Sequence, residues 1–363
     1  MTLFQKTNIG TLALSNRAVR SATWEGGADA DGIPSERQIN LYKELAEGGT
    51  GLIITGYIVP CADGRQTPGQ MMLKDQAALE VYRTLTGAVH TEGAKIAGQL
   101  VHCGGQSTER MAGRKPLAPS AVEAPQYSSV PEEMSTEEIE RIKSAFAYTA
   151  GLCKEAGFDA VQLHAAHGYL INQFLSPALN KRTDEYGGNI ENRARFLLEV
   201  LAEVKKTAGA DFPVMVKLNG SDNLEGGLDI EDSVQVAAML GKAGADAIEV
   251  SAGTPASGKE GAPVRTGIKC GINEGYNLGY AKRIRSAVSL PVITVGGYRS
   301  YEECRKAFEA GMDFVSFSRP LIKEPAIIKR WERGDTAPSG CISCNGCFKP
   351  GLKEGLIRCV INK

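Results

Sequence analysis

The 363-residue chain has almost no net charge: 41 Lys and Arg against 42 Asp and Glu leave a formal charge of −1. Without a basic stripe, a nucleic-acid or anionic-membrane partner is not expected, and a small-molecule substrate is. Long apolar runs are also missing. No stretch reaches the roughly 18 apolar residues of a membrane span, and the opening MTLFQKTNIG has no basic region followed by an apolar run, so a cytoplasmic protein is expected. No GxGxxG follows a candidate strand, which speaks against a Rossmann dinucleotide domain. Histidine is scarce, four in all. His164 and His167 stand three apart with no Glu between them, so the HExxH zinc-protease pattern is absent. The nine cysteines are an odd number, five scattered and four crowded into the last 23 residues. That distribution argues against a secreted disulfide framework and for a local thiolate site at the C-terminus.

What is present is a repeated alternation of short apolar runs and amphipathic segments, the signal of parallel βα units. The strand candidates are 18–23, 51–59, 95–100, 159–164, 213–218, 246–251, 291–296 and 313–318. A helix is expected over 190–207, where Ile190, Ala194, Leu197, Leu201 and Val204 share a face. Another follows the capping box Ser135-x-x-Glu138. Eight such units predict a (β/α)8 TIM barrel over residues 1–335 with a small cysteine-rich extension over 336–363. The segment LFQKTNIGTLAL reads as a hairpin turning at Asn8 to Gly10 that closes one mouth of the barrel. Connections 101–134, 165–189 and 252–275 are long enough to build up the other mouth.

Chemistry in this fold sits where strands end at their C-terminal side. Unusual polar residues fall there: Thr23, Gln99, His102, His164, His167, Lys217, Gly296, Gly297, Ser318 and Arg319. Gly296-Gly297 and Ser318-Arg319-Pro320, after the seventh and eighth strands, suit a phosphate, because small residues and a helix start present backbone N–H groups. A mononucleotide cofactor fits that site. His164 and His167 can act as two N–H donors on one oxygen that gains negative charge, with the Tyr169 phenol able to deliver a proton. A metal pair and two structural histidines are the alternatives. Cys341, Cys344, Cys347 and Cys359 form CxxCxxC plus a distant fourth thiolate, which suits a [4Fe-4S] cluster; a zinc site is the alternative.

The stretch HAAHGYLINQFLSPALNKRTDEYGGNIENRARF, 164–196, resembles the signature of the old yellow enzyme family of FMN-dependent ene-reductases, and the similarity runs along the whole barrel. The resemblance implies FMN at the C-terminal mouth, reduced by NADH or NADPH, and hydride transfer to the β-carbon of an unsaturated carbonyl or enoate. His164 and His167 would then hold the carbonyl oxygen, His164 also bordering the flavin, and Tyr169 would protonate the α-carbon. It further implies that Ser21, Ala22 and Thr23 touch the flavin, with the backbone of Gly56 and Tyr57 at its rim. Gln99 would meet its pyrimidine edge, Lys217 its N1 and C2 oxygen, and Gly296, Gly297, Ser318 and Arg319 its phosphate. Trp24, Lys217, the His102–Gly105 run and the bulky Tyr57 depart from the commonest pattern. The cysteine run is similar to that of 2,4-dienoyl-CoA reductases and trimethylamine dehydrogenase, where the cluster passes electrons onward. That similarity implies a redox partner or carrier near the cluster, or a cluster that is now structural. An amine or ether dehydrogenase and a non-catalytic electron-transfer subunit are the competing functions, and a homo-oligomer is open.

Overall fold

Each of the eight apolar runs forms one strand of a closed, parallel barrel: β1 (Ala18–Arg20), β2 (Leu52–Ile58), β3 (Lys95–Leu100), β4 (Ala160–Ala165), β5 (Val214–Asn219), β6 (Ala247–Ser251), β7 (Val292–Val295) and β8 (Phe314–Phe317). The computed structural model describes residues 1–361 apart from Pro125 and Ser128. Those two positions of the 101–134 connection, and residues 362 and 363 of the expected extension, lie outside the described residues. Among the described residues no helix is long and apolar enough to cross a membrane.

The period-2 alternation of a strand sorts the barrel interior into layers. At the bottom lie Val19, Leu52, Ile54, Ala97, Ala160, Met215, Ala247, Ile293 and Phe314, in one apolar cluster with Ile9, Leu12 and Leu14. These last residues belong to the N-terminal hairpin, which therefore plugs that mouth as expected. Its turn is displaced from the expected place: Ile9 pairs with Leu12 and Asn8 with Ala13, so Gly10, at φ +53°, and Thr11 make the turn. A two-residue loop requires left-handed backbone, and glycine supplies it at no steric cost.

One step up, the same strands turn polar groups inward. Gln99, Gln162, Lys217, Glu249 and Ser316 are all buried there, with Ser21 just beyond β1. Glu249 is fully buried and accepts from Ser21 Oγ at 2.7 Å, Ser316 Oγ at 2.9 Å and Gln162 Nε2 at 2.9 Å, with Lys217 Nζ at 3.2 Å. Burial alone would raise this carboxyl, but the Lys217 charge and the donors around it hold it below its ordinary value. The sequence reading passed over Glu249, although a lone carboxylate at an inward strand position is the available signal.

The outer helices follow their caps. Asn189 accepts from Asn192 N at 3.0 Å to start Ile190–Ala208, and Ser135 accepts from Glu138 N at 3.3 Å to start Thr136–Glu155. The reciprocal arm of the expected capping box does not form with Glu138, whose carboxylate instead binds Arg114 and Arg141 at 2.6 Å each.

Removing one partner of a buried ion pair leaves the other charge uncompensated, which costs about 3–5 kcal/mol. Glu249→Ala is expected to lower unfolding stability by about that amount in urea titrations. A loss under about 1 kcal/mol would mean that water or Ser21 satisfies Lys217 without the carboxylate.

Candidate active site

Above the polar layer, the strand ends open into a cleft of about 930 Å³, part of it facing solvent. Ser21, Ala22, Thr23, Tyr57, His164, His167, Lys217, Gly297, Ser318 and Arg319 line it, together with Trp24, Ser251, Tyr276 and Asn277. Most of the residues singled out from sequence thus meet at one mouth. Gly56, Gln99, Gly296 and Tyr169 do not reach the wall. Gln99 lies one layer lower, its amide nitrogen 2.7 Å from Gln162 Oε1 and its own Oε1 without a partner. Gly56 is required by close approach rather than by a ligand: a Cβ there would stand 2.0 Å from Glu25 Oε2 and 2.6 Å from Thr23 O.

The histidines are placed by backbone geometry. His167 and Gly168 both adopt left-handed conformations, φ +63° and +78°. That turn is held by Asn219 Oδ1, which accepts from His167 N at 3.3 Å, and by Asn172 Oδ1, which accepts from Gly168 N at 2.6 Å. Both asparagines donate to the buried Asp222 Oδ1, at 2.9 and 3.0 Å, a network missed in the sequence reading. The two rings come together edge to face, with centroids 4.9 Å apart. Burial lowers the pKa of both imidazoles well below the ordinary value, and Lys217 lowers both further, so both are neutral.

Neutrality fixes what each ring can do. His164 Nδ1 accepts from Ala166 N at 3.2 Å, so the ring proton sits on Nε2, which is a donor and not a metal ligand. His167 Nε2 lies 2.7 Å from Ser251 Oγ; accepting there leaves Nδ1–H as its donor. Cys61, Asp63 and His102 are the one trio of metal-ligand types within 4.8 Å of one another among the described residues. His102 Nδ1 accepts from Gly104 N at 3.1 Å, and its Nε2 lies 3.8 Å from Asp63.

Tyr169 is buried behind Tyr57, their hydroxyls 2.6 Å apart. Lys217 also donates to Ser21 Oγ at 2.9 Å, so the cation expected to face a ligand is already paired with Glu249. Ser318 Oγ lies 2.7 Å from Thr23 Oγ1, and the Arg319 guanidinium donates to Arg265 O and Asn345 Oδ1 at 2.7 Å each. Two buried polar atoms on the wall, Trp24 Nε1 and Asn277 Oδ1, have no protein partner. Such atoms fit a polar ligand that supplies the missing bonds.

The tail folds over this mouth. Ser343 and Phe348 line the cleft, Ile357 N donates to Glu25 O at 2.8 Å, and the Trp24 ring packs on Gly351, where a Cβ would come within 2.9 Å. Cys341, Cys344, Cys347 and Cys359 surround a second, smaller pocket that shares Arg319 with the first. Ser343 N donates to Cys341 Sγ and Gly346 N to Cys344 Sγ, both at 3.4 Å.

Comparison with known proteins agrees with this geometry. The sequence model of the NADH:flavin oxidoreductase / NADH oxidase family matches residues 2–337. The chain is 37% identical over 366 residues to an NADH oxidase of Thermoanaerobacter brockii, covering 99% of this chain and 56% of that protein. It is 33% identical over 388 residues to a cinnamate reductase of Clostridium sporogenes, covering 99% and 57%. A solved 2-naphthoyl-CoA reductase in complex with 2-naphthoyl-CoA superposes with a TM-score of 0.92 at 30% identity, covering 99% of this chain and 57% of that one. The chain thus spans little more than half the length of these relatives.

Below the cleft, Arg20 and Glu25 form a buried pair at 3.2 Å. Burial pushes the Glu25 carboxyl up to about 7 against the pull of Arg20. A carboxyl raised on folding contributes stability that is complete below its unfolded value of 4.5 and is lost as pH rises through about 7. The stability difference between the wild type and Glu25→Gln is therefore expected to shrink from about pH 4 to pH 8 in urea titrations. A difference that grows with pH would show instead that Arg20 keeps Glu25 ionised.

Proposed function

The chain belongs to the NADH:flavin oxidoreductase / NADH oxidase family, and from that premise we propose that it is an FMN-dependent enzyme that uses NADH or NADPH to reduce the C=C bond of an α,β-unsaturated carbonyl or enoate. The observation that carries this reading is the pair of neutral imidazoles on the cleft wall, where a backbone N–H occupies His164 Nδ1 and leaves its Nε2–H for a ligand. Donors of this kind stabilise a carbonyl oxygen as it gains charge without surrendering a proton to it.

FMN fits the residues present. Ser21, Ala22, Thr23 and Trp24 would border the ring, Lys217 its pyrimidine side, and Gly297, Ser318 and Arg319 the phosphate, all of them lining the same cleft. Bound there, FMN supplies the hydride. The protein's own work is to fix the substrate carbonyl with His164 Nε2–H and His167 Nδ1–H, to deliver a proton from the Tyr57 and Tyr169 phenols, and to cover the mouth with its tail.

The four C-terminal cysteines fit a [4Fe-4S] cluster. All are free, they share one pocket, and two of them accept backbone N–H bonds of the kind that support cluster sulfurs. Arg319 places a buried cation beside an anionic cluster. Cys344 is exposed, which gives a redox partner access to that side. Nine free cysteines suit the reducing cytoplasm.

His164→Ala is expected to slow reduction of trans-cinnamate or 2-cyclohexenone by the reduced enzyme about 10²–10³-fold, the worth of one oxyanion donor, with His164→Asn recovering part of the loss. Equal rates in all three proteins would remove His164 from the reaction. Protein purified without oxygen is expected to carry about four iron and four sulfide per chain. Stoichiometric zinc without iron would make the tail a structural clasp.

A further inference from the structure

The chain leaves β4 through His167 and Gly168, both in left-handed backbone, and a residue with a Cβ keeps that conformation only where its surroundings over-determine it. Side-chain amides supply the determination, one for each backbone polar group of the turn. Asn219 Oδ1 accepts from His167 N at 3.3 Å and Asn172 Oδ1 from Gly168 N at 2.6 Å. Gln106 Nε2 donates to His167 O at 2.8 Å and Gln173 Nε2 to Gly168 O at 2.7 Å.

An amide has an oxygen that accepts and a nitrogen that donates, so a further group must decide which end meets the turn. For Gln173 that group is Gly105 N, which donates to Oε1 at 3.1 Å and leaves Nε2 for Gly168 O. For both asparagines it is Asp222. An ionised carboxylate only accepts, and Asp222 Oδ1 takes Nδ2 of Asn219 at 2.9 Å and Nδ2 of Asn172 at 3.0 Å. The two amide oxygens are thereby left for His167 N and Gly168 N. The other carboxylate oxygen accepts from Leu228 N at 2.9 Å. Asp222, Asn172 and Asn219 are all shielded from solvent, and none of them lines the cleft. The ring they carry does: His167 stands edge to face with His164, its Nε2 2.7 Å from Ser251 Oγ.

Building on the ene-reductase reading above, we propose that Asp222 is a positioning residue for the reaction. By deciding which way Asn172 and Asn219 point, it holds the left-handed turn that brings the His167 ring onto the cleft wall beside His164. Its effect reaches the substrate carbonyl through His167 and by no other route. Alanine at 222 removes the acceptor of both Nδ2 groups and frees the two amides to turn over. Asparagine keeps one oxygen for them, with its NH2 group set against Leu228 N.

The test places Asp222→Ala in the wild type and in His167→Ala, each FMN-loaded, reduced anaerobically and mixed with trans-cinnamate or 2-cyclohexenone. In the wild type the rate of alkene reduction is expected to fall about 10–100-fold, the worth of displacing a catalytic group by about 1 Å. In His167→Ala the same change is expected to cost under about threefold, because the ring it positions is gone. Asp222→Asn is expected to recover part of the rate. In protein labelled with ¹⁵N only in histidine, the ring signals of His167 are expected to move in Asp222→Ala more than those of His90 and His102. Should Asp222→Ala fold poorly, Asn219→Ala removes the acceptor for His167 N and leaves the carboxylate Asn172 and Leu228 N. That variant must show the same dependence on His167 for the assignment to stand. A fall of equal size in both backgrounds, or equal shifts at all the histidines, would make Asp222 a packing residue and overturn the assignment. An unchanged rate in Asp222→Ala would overturn it as well. If the wild type reduces neither probe, the ene-reductase reading falls and the assignment falls with it; an active wild type with Asp222 uncoupled from His167 removes the assignment alone.

Discussion

The buried pair of Lys217 and Glu249 is the constraint on which the rest of the site depends. Neither charge could remain alone in the barrel at tolerable cost, and together they draw in Ser21, Gln162 and Ser316 to satisfy the remaining oxygens. That requirement makes the middle layer polar in a barrel whose lower layer is wholly apolar. It also fixes the floor of the cleft. Burial is what chiefly keeps the two imidazoles above it neutral, and Lys217 sits close enough to lower both pKa values further. The carboxylate has a second effect: it compensates Lys217, so this lysine presents a ligand with a hydrogen-bond donor more than with a full positive charge.

The barrel was legible in the sequence because burial on both faces imposes short, nearly continuous apolar runs on parallel strands, and each of the eight runs indeed contains one strand. The site was legible to the extent that it follows from strand ends. His164, His167, Lys217, Ser318 and Arg319 reach the cleft because each lies in the C-terminal half of a strand or in the connection after it. What sequence could not give was phase. A bulge inserts one residue without changing composition, so nothing in GLIITGYIV distinguishes a Tyr57 that faces solvent-side helices from one that faces the cleft. The hairpin turn slipped toward Gly10–Thr11 for the related reason that register there is fixed by the apolar contacts of Ile9, Leu12 and Leu14 and not by the first turn-forming residue. The hydrogen-bonded set of Asn172, Asn219 and Asp222 joins the connection after β4 to the end of β5, and only the closed barrel brings Asn172 to the other two.

The tail is less a separate unit than a wall of the cleft. Its backbone is tied to Glu25 and to Arg299, whose carbonyl accepts from Ser339 N at 2.8 Å. Trp24, one of the residues that depart from the commonest pattern, is held against Gly351 of the tail. A side chain that both borders the cleft and packs against the tail links the two mechanically, so loss of order around the cysteines would loosen the cleft wall.

Arg319 makes that link electrostatic as well. It begins the helix Arg319–Lys323, lines both pockets and spends its hydrogen bonds on Asn345 of the tail and the carbonyl of Arg265. One guanidinium thus serves two sites that would each hold an anion, a phosphate on one side and a thiolate-bound group on the other. Because Arg319 lines both pockets, on the reading proposed above a phosphate in the cleft and a thiolate-bound group in the tail would share one guanidinium, and each would feel the charge of the other through it.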